Sequence, residues 1–222
     1  MIIPISYPLN AKSPLYPNTP SPVIHPLCSM GQGNSTNTSS IIFSTHSGTH
    51  IDAPRHFINK GKTIADYLTI DNTFYPTYCI DLPKLISFKI TIEDIESSIS
   101  QIWDAEALLI RTNWHSIRSE DPEWYCNDHP WISPEIPEFL REHCPHLRLF
   151  GIDQISVSSV LHRTDGHLCH RNFLADDKTI LILEDINLSD SRVNGSFRLH
   201  IYPFMIEEID GVPVIALVEI EA

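Results

Sequence analysis

The sequence lacks a concentrated run of Lys and Arg anywhere: 15 basic residues stand against 28 acidic ones, a formal charge of −13 with His neutral. A phosphate backbone or an anionic bilayer is held by a positive patch, so neither nucleic acid nor a membrane is expected as a partner. No apolar stretch approaches the roughly 20 residues that a membrane helix requires; runs such as Thr179 to Leu183 are strand-sized. The opening residues have no basic region and are broken at Pro4 and Pro8, so no targeting signal is read there. The five cysteines, Cys28, Cys79, Cys126, Cys144 and Cys169, are odd in number and form no C-x-x-C pair. That argues against a disulfide framework and against a zinc knuckle. No Gly-x-Ser-x-Gly elbow is present, which weighs against a serine esterase. A reducing, cytoplasmic setting is the expectation.

What remains is an ordinary globular composition, 42% apolar and 19% charged, over 222 residues. That suffices for one well-cored domain, 1–222, whose Pro-rich first 40 residues could form an arm that packs on a neighbour. Short β-type runs are predicted at Ile2 to Ile5, Val23-Ile24, Ile41 to Thr45, Tyr78 to Leu82, Ala107 to Arg111, Leu147 to Ile152 and Ile180 to Leu183. Phe197 to Tyr202 is expected to pair with Val212 to Ile220 across a turn at Asp210-Gly211. Helices are predicted over Thr91 to Ile102, capped by Thr91, and over Ser133 to His143, with Ser133 as cap and Pro134 in the first turn. The stretch from Trp114 to Trp131 reads as a loop. The order is α/β, β-rich with interspersed helices.

Histidine is the plentiful chemical residue, with 12 in the chain. Three of them fall with one carboxylate in the run His46-Ser-Gly-Thr-His50-Ile-Asp52-Ala-Pro-Arg-His56-Phe57. Gly48 and Pro54 disfavour a helix here. In an extended stretch alternate side chains share a face, which puts His50 and Asp52 together. Gly48 can supply the turn that brings His46 to them, and Pro54 a bend that returns His56. Two His and one Asp form a mixed N/O ligand set suited to Zn²⁺, Mn²⁺ or Fe²⁺ with open positions for water.

This run resembles the signature of the cyclase-like metal hydrolases, the family of bacterial kynurenine formamidases and isatin hydrolases. Ile5-Ser6-Tyr7-Pro8-Leu9, Leu108 to Thr112 and Gly151-Ile152-Asp153-Gln154-Ile155-Ser156 are similar to further family segments, in the same order. Tyr16-Pro17-Asn18-Thr19-Pro20 resembles a family loop but lacks its Gly and Asp. The resemblance implies a swivelling β/β/α fold, a β-barrel-like core with packed helices. It implies a first metal site at His46, His50 and Asp52, with His56 as catalytic proton shuttle. His170 and Glu184, with a bridging Asp52, would complete a second site, giving two Zn²⁺ or Mn²⁺ ions per chain. The stretch between those two residues is longer than the family pattern, through Ala175-Asp176-Asp177-Lys178, so His162 and His167 stay open as alternatives to His170. The implied activity is hydrolysis of a small amide, an aryl formamide or a cyclic amide such as isatin, with cyclase or lyase chemistry on the same site as the alternative. The implied assembly is a homodimer or homotetramer. Trp114, Trp124, Tyr125 and Trp131 could wall an aromatic substrate or could simply pack.

Overall fold

The computed structural model describes residues 1–67, 72–83, 88–175 and 178–220. The strands are β1 (Ile2–Pro4), β2 (Val23–Cys28), β3 (Thr38–Ile42), β4 (His50–Asp52), β5 (Thr73–Asp81), β6 (Lys89–Ile90), β7 (Ala107–Arg111), β8 (Trp131–Ile132), β9 (Leu149–Ile152), β10 (Leu181–Glu184), β11 (Gly195–Pro203) and β12 (Gly211–Glu219). The helices are α1 (Ile92–Ile95), α2 (Ile99–Ile102), α3 (Ile117–Glu120), α4 (Pro122–Asn127), α5 (Ile136–His143) and α6 (Arg163–Phe173). None of the described helices is long and apolar enough to cross a membrane.

Strands β12, β11, β5, β7, β9, β10 and β4 are hydrogen-bonded in that order, and β4 returns to β12 to close a barrel. From β5 through β10 the pairings are parallel; β4, β11 and β12 pair antiparallel. One edge of β12 serves two strands, β1 along Leu217–Glu219 and β4 along Gly211–Pro213. Closure leaves no long unpaired edge around the barrel. Side chains alternate as the pleat demands. Ile51, Leu109, Leu149, Leu183 and Val212 join one core inside the barrel. Leu108, Ile110, Phe150 and Ile182 face outward and pack with Ile95, Leu140 and Phe173 of the helical layer. This is the mixed α/β, barrel-cored architecture expected.

Several elements differ from the sequence reading. The helix expected over Thr91 to Ile102 is interrupted by a 3-10 turn at Glu96–Ser98, although Thr91 does cap it, its N–H donating to the Asp94 carboxylate at 2.9 Å. The helix expected from Ser133 starts at Ile136, with Pro137 rather than Pro134 in its first turn. Ser133 is committed elsewhere: its N–H donates to Ile90, continuing the ribbon of β8 and β6. The stretch read as a loop holds α3 and α4, too short to give a periodic signal. Helix α6 escaped notice because its buried positions, Gly166, Cys169, His170 and Phe173, have helical spacing but little hydropathy. Not all of residues 1–40 stands apart from the barrel. Ile3 and Ile5 are barrel core, whereas β2 and β3 form a separate ribbon that exposes Val23, Ile24, Leu27, Ile41 and Ile42.

A buried ion pair ties the helical layer to the end of β10. Arg118 of α3 donates through Nε and a terminal nitrogen to both oxygens of Asp185, each at 2.7 Å. Tyr125 donates to the same carboxylate at 2.7 Å, and the guanidinium lies 3.7 Å from the Tyr7 ring centroid. Removing one partner of a buried pair strands the other charge, typically at 3–5 kcal/mol. Arg118→Met should therefore lower the free energy of unfolding by about 3 kcal/mol in a urea titration; a loss under about 0.5 kcal/mol would mean that water already reaches Asp185.

Candidate metal centre

His50 and Asp52 leave one face of β4 while Ile51 between them enters the barrel core. Glu184 ends β10 directly opposite His50 in register. Gly48 has φ +66°, the left-handed turn that lets His46 fold back. Pro54–His56 forms a 3-10 turn that swings His56 over the same face. The fourth histidine comes from α6. That helix can approach because position 166 is glycine, where any Cβ would collide with Ser158. The centre thus lies on the outer face of the barrel, roofed by α6.

The imidazoles converge on two carboxylates. His46 Nδ1 is 2.8 Å from Asp52 Oδ1. His50 Nε2 is 3.4 Å from Asp52 Oδ1 and 3.4 Å from Glu184 Oε2. His170 Nε2 is 3.7 Å from Asp52 Oδ2 and 3.6 Å from Glu184 Oε1. Each of these rings has its other nitrogen fixed by an acceptor: His46 by Asp210 Oδ2 at 2.8 Å, His50 by the Gly48 carbonyl at 2.8 Å, His170 by the Gly166 carbonyl at 2.9 Å. Such outer acceptors set the tautomer and the aim of metal-binding histidines. Glu184 is oriented in turn by the Val157 N–H at 2.8 Å and the Ser156 hydroxyl at 3.1 Å.

One atom tests whether a cation fits. Asp52 Oδ2 is fully buried and has no hydrogen-bond partner, a state that buried oxygens rarely occupy without a ligand. Its surroundings offer imidazole nitrogens and carboxylate oxygens, donors that suit a borderline divalent ion. Among the described residues, two groups of donor atoms lie close enough to hold one: His50 with Asp52 and Glu184, and His46 with Asp52 and His56. Asp52 belongs to both.

The electrostatics are those of a site that wants positive charge. Burial would push the Asp52 and Glu184 carboxyls up. The histidines facing them reverse this and hold Asp52 below, and Glu184 well below, the usual carboxylate range. Burial likewise would lower His46, but Asp52 and Asp210 raise it to about 10. His50 and His170 are raised mainly by the Glu184 carboxylate, against their burial.

All six residues singled out from the sequence, His46, His50, Asp52, His56, His170 and Glu184, come together. His162 does not join them; it stacks on Trp131 at 4.2 Å. His167 lies outside the carboxylate pair, on the wall of the adjoining cavity. Asp176 and Asp177, in the lengthened loop, lie outside the described residues. Cys169 is fully buried, and burial pushes its thiol well up, so it is no nucleophile. The aromatic residues Trp114, Trp124, Tyr125 and Trp131 do not line the cavity. Trp114 and Tyr125 are buried together, with Trp124 packed on them. The cavity, about 260 Å³, is walled instead by Tyr16, Phe57, Ile155 and the histidines. Asp210 is the residue that the sequence reading missed. Taken there for part of a turn, it accepts from His46 and, at 3.3 Å, from His56 Nδ1. Those two histidines, and burial opposing them, hold its carboxyl far below the usual range.

The family model described as "Putative cyclase" matches residues 3–159, more than half of the chain. The chain belongs to the cyclase family. Within it, kynurenine formamidase of Bacillus anthracis is 33% identical over 216 residues, covering 97% of this chain and 96% of that protein. Among solved structures, isatin hydrolase A from Ralstonia solanacearum superposes with a TM-score of 0.84 at 18% identity, covering 100% of this chain and 92% of the other. A predicted metal-dependent hydrolase from Bacillus stearothermophilus gives 0.77 at 20% identity, over 98% and 97%. These two likenesses establish the cyclase-family fold.

His46, raised to about 10, carries a proton at neutral pH that an entering ion would have to displace. Calorimetry of Zn²⁺ or Mn²⁺ binding near pH 7 should show a heat that varies with the buffer's ionisation enthalpy, indicating release of about one proton or more. Affinity should rise between pH 6 and pH 8. Buffer-independent heat with a flat pH profile would contradict this electrostatic account.

Proposed function

We propose that this chain is a metal-dependent amide hydrolase acting on a small aryl formamide, of which N-formylkynurenine is the leading example. The observation that carries the reading is the unpartnered Asp52 Oδ2 amid three outwardly anchored imidazoles. The similarity to kynurenine formamidase over nearly the whole of both chains supports the choice of amide. His46, His50 and Asp52 would hold one divalent ion, and Asp52, His170 and Glu184 a second. Such ions supply a Lewis acid and lower the pKa of water from 15.7 to about 7.

His56 does the proton work. Its Nδ1 faces the Asp210 carboxylate and donates to it, which leaves Nε2 as the basic nitrogen toward the cavity that His56 lines. From there it takes the proton of the attacking water and returns it to the departing nitrogen. An amide nitrogen leaves poorly unless protonated, so this transfer is needed for turnover; general acid–base help of this type contributes roughly 10²–10⁴-fold. Phe57 and Ile155 give the cavity apolar lining that suits the ring of an aryl amide. A cyclic amide such as isatin is the second reading. It is favoured by Tyr16 and Thr19, which reach the cavity from the loop that departs from the family pattern. The exposed apolar ribbon of β2 and β3 supports assembly as a homodimer or homotetramer.

Metal analysis should return one to two Zn or Mn per chain. His56→Ala should keep that metal and lose about 10²-fold or more in kcat, whereas Glu184→Gln should lower the stoichiometry. A panel of N-formylkynurenine, isatin and a simple lactone separates the readings, and an active metal-free enzyme would sink them all. Light scattering should give a dimer or tetramer that Leu27→Asp weakens; a monomeric wild type would remove the assembly.

A further inference from the structure

The cavity next to the carboxylate pair has α6 as one wall, and Arg163, His167 and His170 line it. Their spacing, four residues and then three, sets them in one row along a single helix face. His170 is at the buried end, while His167 and Arg163 are exposed. At the α-helical rise the row spans about 10 Å, the length of a small aromatic amide with one substituent.

Arg163 is the only Lys or Arg among the cavity residues. Acidic residues outnumber basic ones in this chain, and Arg111, Arg118, Arg141, Arg148 and Arg192 all have carboxylate partners. Arg163 has none among the described residues. The acid nearest to it on the helix, Asp165, is turned to Lys89 at 3.2 Å. A guanidinium at the mouth of a cavity, with its fork unused and a second imidazole one turn deeper, is arranged to receive a planar anion. A singly charged carboxylate matches that fork in two parallel hydrogen bonds. A phosphate would bring extra negative charge toward Glu184, which lines the same cavity.

We infer that Arg163, with His167 beside it, is a carboxylate subsite, and that the preferred substrate is an amide carrying a carboxylate remote from the scissile bond. This rests on the amide-hydrolase reading. Anchoring the far end fixes the reach from Arg163 to the reacting carbonyl, so the subsite selects substrates by length as well as by charge.

The test compares metal-loaded wild type, Arg163→Gln and Arg163→Lys on formanilide and on 2-, 3- and 4-formamidobenzoate. At least one carboxylated amide should exceed formanilide in kcat/KM for the wild type. In Arg163→Gln that ratio should fall about 10- to 100-fold, the range of a charged hydrogen bond, chiefly through KM, and Arg163→Lys should recover part of it. Calorimetric binding of the matching acetamidobenzoates should weaken in parallel. A wild type with no preference for the carboxylate, or a ratio that survives Arg163→Gln, overturns the subsite. If no formamide is hydrolysed but acetamidobenzoate binding still depends on Arg163, the subsite stands and the amide-hydrolase reading fails. If neither hydrolysis nor Arg163-dependent binding is found, both fall.

Discussion

The pairing of β4 with β10 on one side and β12 on the other closes the barrel, and the same three residues carry two of the site's side chains. A register slip of one residue would turn His50 and Asp52 into the apolar interior and bring Ile51 out. Barrel closure and site assembly are therefore one structural event. Ile51 secures the register from inside, and the antiparallel match of His50 with Glu184 delivers the second carboxylate. The apolar core inside the barrel thus specifies the geometry of a polar centre on the opposite face of the strand.

That centre concentrates charge where burial makes charge expensive. Asp52 and Glu184 are almost without exposure, and unpaired carboxylates there would cost several kcal/mol each. The surrounding imidazoles meet the need when protonated, and a divalent cation would meet it with the imidazoles neutral. Protons and a bound cation would thus compete for one set of nitrogens. Asp210 joins this balance from the rim. By accepting from both His46 and His56 it couples a residue that faces the carboxylate pair to the one that faces the cavity.

How much was legible in the sequence follows from how local each feature is. Alternation alone put His50 and Asp52 on one face, and Gly48 and Pro54 gave the bends around them, because all of that is decided within a dozen residues. His170 and Glu184 entered only through resemblance, since nothing near them announces a ligand. Asp210 was invisible for a related reason: its role depends on a strand pairing between distant parts of the chain. Helix α6 was unread because it spends its buried stripe on Gly, Cys and His. The aromatic residues between Trp114 and Trp131 have the composition of a binding wall and the placement of a core; composition cannot tell these apart.

The shared edge of β12 has a consequence for how the molecule comes into being. β1 and β4 both need β12 before they are complete, so segments made earlier wait for one made well after them. Contacts that span so much of a chain form slowly. Until β12 emerges, β4 lacks one of its two neighbours, and the face that carries His50 and Asp52 is not yet held in register. Assembly of the site is in this sense deferred until β12 is in place.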